Sequence, residues 1–215
     1  MLESDFVSIK ILDYNEVAKM SKNINQSCAT TPQQAAPQMP FRVLLIASFL
    51  LGAIVIIANY TVQFNIAATP LTYGALTYPF GFLLLDVLSE RYARKDIIKV
   101  VGLGILIAFV PSFFSATPQI ALASIAAFCI SQPLDVALFY AFKRRFPHLW
   151  WLRNSGSTII AQSVDTLVFF VIAFWGQRVL AESITMAMAD YSIKLAVAVA
   201  NAPLFYLLAI RAKNI

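Results

Sequence analysis

The stretch Ser157–Trp175, STIIAQSVDTLVFFVIAFW, decides the fold. It is apolar enough and nearly long enough to cross a bilayer, whose hydrocarbon core takes about 20 residues of helix. Yet it carries Gln162 and Asp165 in its interior. A neighbouring stretch, Gln119–Phe142, repeats the device as Ser131-Gln132-Pro133-Leu134-Asp135. In each, a Gln stands three residues before an Asp, so amide and carboxylate share one helix face. A carboxylate in hydrocarbon costs at least roughly 2.5–3.5 kcal/mol on insertion scales. Two such pairs in adjacent segments imply a polar site inside a helical membrane bundle.

The composition agrees. Hydrophobic residues make up 60% of the chain and charged residues 13%, with a mean hydropathy of +0.73. Soluble domains carry about twice that share of charge. Six spans are expected, at about Phe41–Asn59, Tyr73–Ser89, Ile97–Phe114, Gln119–Phe142, Ser157–Trp175 and Ile184–Ile210. The second is short and interrupted by Pro79 and Gly81; Asp190 is an alternative start for the last. The fold class is therefore all-α, a polytopic bundle over residues 41–212. Residues 1–40 form a polar N-terminal tail, in which Asp5–Met20 is a candidate surface helix. Its acidic start without an apolar core is unlike a signal peptide.

Basic residues set the expected orientation. Arg42 stands at the start of span one. Arg91, Arg94, Lys95 and Lys99 separate spans two and three, and Lys143, Arg144, Arg145 and Arg153 separate four and five. Arg211 and Lys213 follow span six, whereas the alternate loops hold only Arg178. By the positive-inside rule both termini face the cytoplasm. These loops account for the net charge of +5, so a nucleic-acid partner is not expected.

Several chemistries lack their residues. There is no GxxxxGK[ST] phosphate loop and no GxSxG elbow. Cys28, Cys129 and the single His148 are not spaced as metal ligands. No catalytic residue, metal or cofactor is expected. An intramembrane hydrolase using Asp135 and Asp165, and a structural scaffold, are the rival classes.

Polar residues inside the spans are the candidate site. Asn59 and Gln63 share a face if helix continues past span one. Asp86 stands one turn before Glu90, beside Arg91 and Arg94. Asp135 is eight residues from Lys143, roughly 12 Å deep, and Asp165 is twelve past Arg153, roughly 18 Å deep, at 1.5 Å per residue. Asp190 and Lys194, four apart, can pair on one helix face. Asn201 and Pro203 lie deeper in span six and would open the helix. The candidate substrate-binding residues are thus Asn59, Gln63, Asp86, Gln132, Asp135, Gln162, Asp165 and Lys194, with Asp86 and Lys194 gating or completing the cavity.

These residues also carry a resemblance. The chain resembles the queuosine precursor transporter family, also called the vitamin uptake transporter family. The carriers are Asn59-Tyr60-x-Val62-Gln63, Asp86 before a basic loop, Trp150-Trp151, Gln132-x-x-Asp135-Val136, Ser163-Val164-Asp165-Thr166-Leu167-x-Phe169-Phe170-x-Ile172-Ala173-Phe174-Trp175, and Asp190-Tyr191-x-x-Lys194. The resemblance implies an inner-membrane importer of 7-cyano-7-deazaguanine, 7-aminomethyl-7-deazaguanine or queuine for tRNA modification. The residues suit such a ligand. A carboxylate can accept the side-by-side N1–H and amine of a guanine-like edge, and a Gln or Asn amide can donate to its carbonyl. A homodimer, and a separate ATPase module for which this chain is the substrate-capture subunit, stay open as partners.

Overall fold

The computed structural model describes residues 37–66, 72–176 and 180–213, with side chains left undescribed at 180–183 and 213. The expected tail falls almost wholly outside these residues, as do Cys28 and Arg178. Among the described residues the chain is helical: α1 (Phe41–Thr61), α2 (Gly74–Thr77), α3 (Pro79–Arg91), α4 (Arg94–Ser115), α5 (Pro118–Arg145), α6 (Ser157–Ala173) and α7 (Leu180–Phe205). Five helical stretches are long and apolar enough to cross a membrane: Phe41–Thr61, Arg94–Ser115, Pro118–Arg145, Leu152–Ala173 and Ile184–Ile210. The shorter α2–α3 pair occupies the position of the expected second span.

Local sequence explains the element boundaries. α2 and α3 are separated at Tyr78, whose own backbone stays helical, because Pro79 brings no N–H to the ladder. α5 starts where Thr117 accepts a side-chain cap bond from the Ile120 N–H and Pro118 takes the first turn, a position that needs no proline N–H. It ends with Lys143, Arg144 and Arg145, cations that oppose the negative end of the helix dipole. α6 is entered through a π-helical turn, Leu152–Gly156. α7 begins at Leu180, ahead of both expected starts, and runs into a second π turn, Tyr206–Ile210.

α1 packs along α4, and α5 packs along α6, which also meets α7. The α1–α4 crossing depends on absent side chains. A Cβ placed on Gly104 would sit 2.7 Å from Leu51 Cδ2, and one on Gly52 would sit 2.8 Å from Ile107 Cγ2. Small residues of this kind let membrane helices approach closely.

The polarity is reversed relative to a soluble protein. Phe114, Trp175, Phe41 and Leu106 are exposed, whereas Asn59, Asp86, Gln132, Asp135, Gln162, Asp165 and Lys194 are buried. A surface of large apolar groups over a polar interior is stable only against lipid.

Candidate functional site

The polar residues of α1, α3, α5, α6 and α7 fall into tiers along the bundle. At one end, Glu90 of α3 meets Arg153 at 3.0 Å and Lys143 at 3.4 Å. The Lys143 ammonium also donates to the backbone carbonyls of Ser89 and Glu90, and Arg91 donates to the carbonyl of Leu208. This end is held by charged contacts among α3, α5, the turn before α6 and the end of α7.

One turn further in lies Asp86. One of its oxygens accepts from the Thr158 hydroxyl at 3.1 Å. Its carboxyl group faces that of Asp135 on α5. Among the described residues, neither oxygen of Asp135 and only one of Asp86 has a hydrogen-bond donor. Ser157 lies beside Asp135, but its hydroxyl donates to the Arg153 carbonyl at 2.7 Å.

Gln132 and Gln162 are fully buried on the paired helices α5 and α6. Among the described residues both amides lack a partner at nitrogen and at oxygen. Buried polar groups are ordinarily bonded, so four unsatisfied amide atoms in one helix pair mark a place where a polar ligand would be accepted. Pro133 lies in the same turn of α5 and leaves the Cys129 carbonyl without its usual i+4 donor.

The next tier is charge-paired. Asp165 accepts from Ser131 at 2.8 Å and meets Lys194 at 3.6 Å. Lys194 also pairs with Asp190 at 2.8 Å, donates to Thr166 at 3.2 Å and lies 4.8 Å from the centre of the Tyr78 ring. The expected Asp190–Lys194 pair therefore exists and additionally reaches α6. Beyond it, the Tyr78 and Ser124 hydroxyls are hydrogen bonded to each other. Tyr78 donates to the Asn59 side-chain oxygen at 3.2 Å, and the Asn59 amide nitrogen donates to Ser112 at 2.8 Å.

Seven of the eight sequence-derived site residues are buried in this interior; Gln63 stands apart. α1 stops at Thr61, so Gln63 leaves the Asn59 face and is exposed, donating to the Ser115 and Tyr60 carbonyls. Of the two Gln-x-x-Asp carboxylates, Asp165 has partners and, among the described residues, Asp135 has no hydrogen-bond donor. Tyr78, Thr158, Ser131 and Thr166 were missed as site partners. Ser131 stands beside Gln132 and Thr166 beside Asp165 in the motifs above, but as single hydroxyls in apolar runs the four carry no pattern of their own. Phe139 packs against Tyr140 and Phe205.

An apolar cavity of about 570 Å³ is lined by Trp150, Val199, Ala202, Pro203, Tyr206 and Leu207. It contains none of the polar tier residues, and several of its walls are exposed on the bundle surface.

A multi-pass helical bundle with an apolar exterior and charge-paired, partly unsatisfied polar tiers inside is the architecture of a small-molecule transporter. The chain belongs to the family of putative vitamin uptake transporters, whose model matches residues 110–208. It is 33% identical over 160 residues to the probable queuosine precursor transporter of Bacillus subtilis (strain 168), covering 63% of this chain and 70% of that one. It is 32% identical over 167 residues to the queuosine precursor transporter of Escherichia coli (strain K12), covering 66% and 75%. A probable queuosine precursor transporter of Haemophilus influenzae is 33% identical over 124 residues, covering 48% of this chain and 52% of that one. No solved structure matches the chain. The match over residues 110–208 takes in both Gln-x-x-Asp pairs and Lys194. The family is one of transporters, and the protein is a transporter rather than an enzyme.

Proposed function

We propose that this protein imports a 7-deazaguanine precursor of queuosine across the cytoplasmic membrane, with six spans and both termini in the cytoplasm. The relatives' names motivate the substrate class. The observation that carries it is the pair of buried, unpartnered amides of Gln132 and Gln162, held between the Asp135 and Asp165 levels. An amide offers two N–H donors and a carbonyl acceptor, which suits the mixed edge of a guanine-like base. Asp165 is the proposed acceptor for the base N1–H and amine, since a carboxylate has about four acceptor sites and Ser131 and Lys194 leave some free. Lys194 and Asp190 hold Asp165 in place. Asp86, Asp135 and Asn59 complete the walls.

The α2–α3 pair counts as a span in this reading. Its broken helix is tolerated because Tyr78 and Asp86 face protein rather than lipid, the condition under which irregular backbone survives at membrane depth.

The test uses a cell unable to make 7-deazaguanines. Expression of this chain should restore queuosine in tRNA from low external precursor, and the Asp165→Ala version should not. Hypoxanthine lacks the exocyclic amine and should compete poorly. Equal competition by hypoxanthine refutes recognition through the carboxylate; no restoration by any 7-deazaguanine refutes the substrate class.

A further inference from the structure

The charges of the interior do not balance. Five carboxyl groups, Asp86, Glu90, Asp135, Asp165 and Asp190, are buried there. Three cations reach them: Lys143 and Arg153 both serve Glu90, and Lys194 serves Asp165 and Asp190. Among the described residues Glu90 thus has two cations and the Asp165–Asp190 pair shares one, while Asp86 and Asp135 have none. Among the described residues neither Asp86 nor Asp135 forms a salt bridge, and they face each other across the α3–α5 contact. Their surroundings offer the Thr158 hydroxyl to Asp86 and no donor to Asp135. Buried carboxylates are stable when paired with a cation or relieved of charge.

We propose that the Asp86–Asp135 pair is a receptor for a positively charged side arm of the substrate, so that the protein selects an amine-bearing base over a base whose arm is neutral. This rests on the deazaguanine reading above and adds the charge of the arm to it. The depths agree. Ser131, which bonds Asp165, is four residues from Asp135, or roughly 6 Å along the helix at 1.5 Å per residue. That is of the order of the width of a bicyclic base. A base whose amine edge meets Asp165 and whose ring lies between Gln132 and Gln162 directs its far edge toward Asp86 and Asp135. An ammonium there gains two charge-assisted acceptors, while a nitrile supplies no charge to offset theirs. Glu90, one turn beyond, is held off the arm by its own two cations.

The experiment compares binding of 7-aminomethyl-7-deazaguanine, 7-cyano-7-deazaguanine and unsubstituted 7-deazaguanine to the purified full chain by calorimetry. The expected result is at least tenfold tighter binding of the aminomethyl base than of either neutral one. Asp86→Asn should bring that ratio to within about threefold of unity. Thr158→Val is the second variant: it removes the hydroxyl held by Asp86, and the aminomethyl preference should persist. Equal affinity for the three bases in the unaltered protein assigns the pair to a proton instead and overturns the proposal while leaving the deazaguanine reading intact. A preference that survives Asp86→Asn and Asp135→Asn equally overturns it as well. Binding of none of the three overturns both.

Discussion

Replacing Lys194 by Met removes the cation that joins Asp190 to Asp165. The Lys194, Asp165 and Asp190 side chains are at most 10% exposed, so solvent screens them little. At an effective dielectric of about 20, contacts of 2.8 and 3.6 Å correspond to gross attractions of about 6 and about 5 kcal/mol. Desolvation offsets most of that. Removing one partner of a buried pair costs about 3–5 kcal/mol, because the remaining charge is left uncompensated. For a chain of this size that is a fall in melting temperature of about 6–20 °C. Fluorescence-detected unfolding in detergent reads it directly. The variant's thioether cannot serve Thr166 or lie as a cation over the Tyr78 ring, so those small contributions go with it. The double variant Lys194→Met/Asp165→Asn separates charge from packing. It should recover at least about 1 kcal/mol of the loss, because one of the two carboxylates left uncompensated is gone while the lost contacts are not restored. A Lys194→Met protein within about 1 kcal/mol of the parent refutes the argument. So does a double variant whose cost is the sum of the two single costs to within about 0.5 kcal/mol, the level at which sites are independent.

Other outcomes follow from the same geometry. Asp165→Asn should weaken binding of the base by about 1.5–3 kcal/mol, the size of a charged hydrogen bond, with the protein still inserted and monodisperse; unchanged affinity by calorimetry moves the base edge elsewhere. Gly104→Val should destabilise the α1–α4 crossing by about 1–3 kcal/mol through overpacking against Leu51, and Leu51→Ala in the same chain should relieve part of it in the unfolding assay. A reporter fused after Ile215, or a cysteine label at Arg144, should report cytoplasm; an external signal at either position defeats the six-span topology.

What the sequence determined by itself is the bundle and the identity of its polar residues. Long apolar runs can satisfy their backbone in lipid only as helices. A Gln or Asp inside such a run must face protein, because lipid gives it no partner. Helical spacing then put Gln132 with Asp135, Gln162 with Asp165 and Asp190 with Lys194 on shared faces, and each of these residues is buried. Spacing could not carry Gln63 into the same set, because it depended on α1 continuing past Thr61, and boundaries are set by caps and tertiary contacts as much as by pattern.

What only the tertiary structure decided is which of these groups are already satisfied. Sequence treats Asp135 and Asp165 as equivalents. Packing gives Asp165 a serine from α5 and a lysine from α7, and gives Asp135 another carboxyl group. It also recruited Tyr78, Ser124 and Thr158, whose single hydroxyls form no period along the chain. Partner choice across helices depends on how each helix is rotated and set in depth against the next, and a one-dimensional pattern gives each helix its own face and rough depth but not its setting against a neighbour.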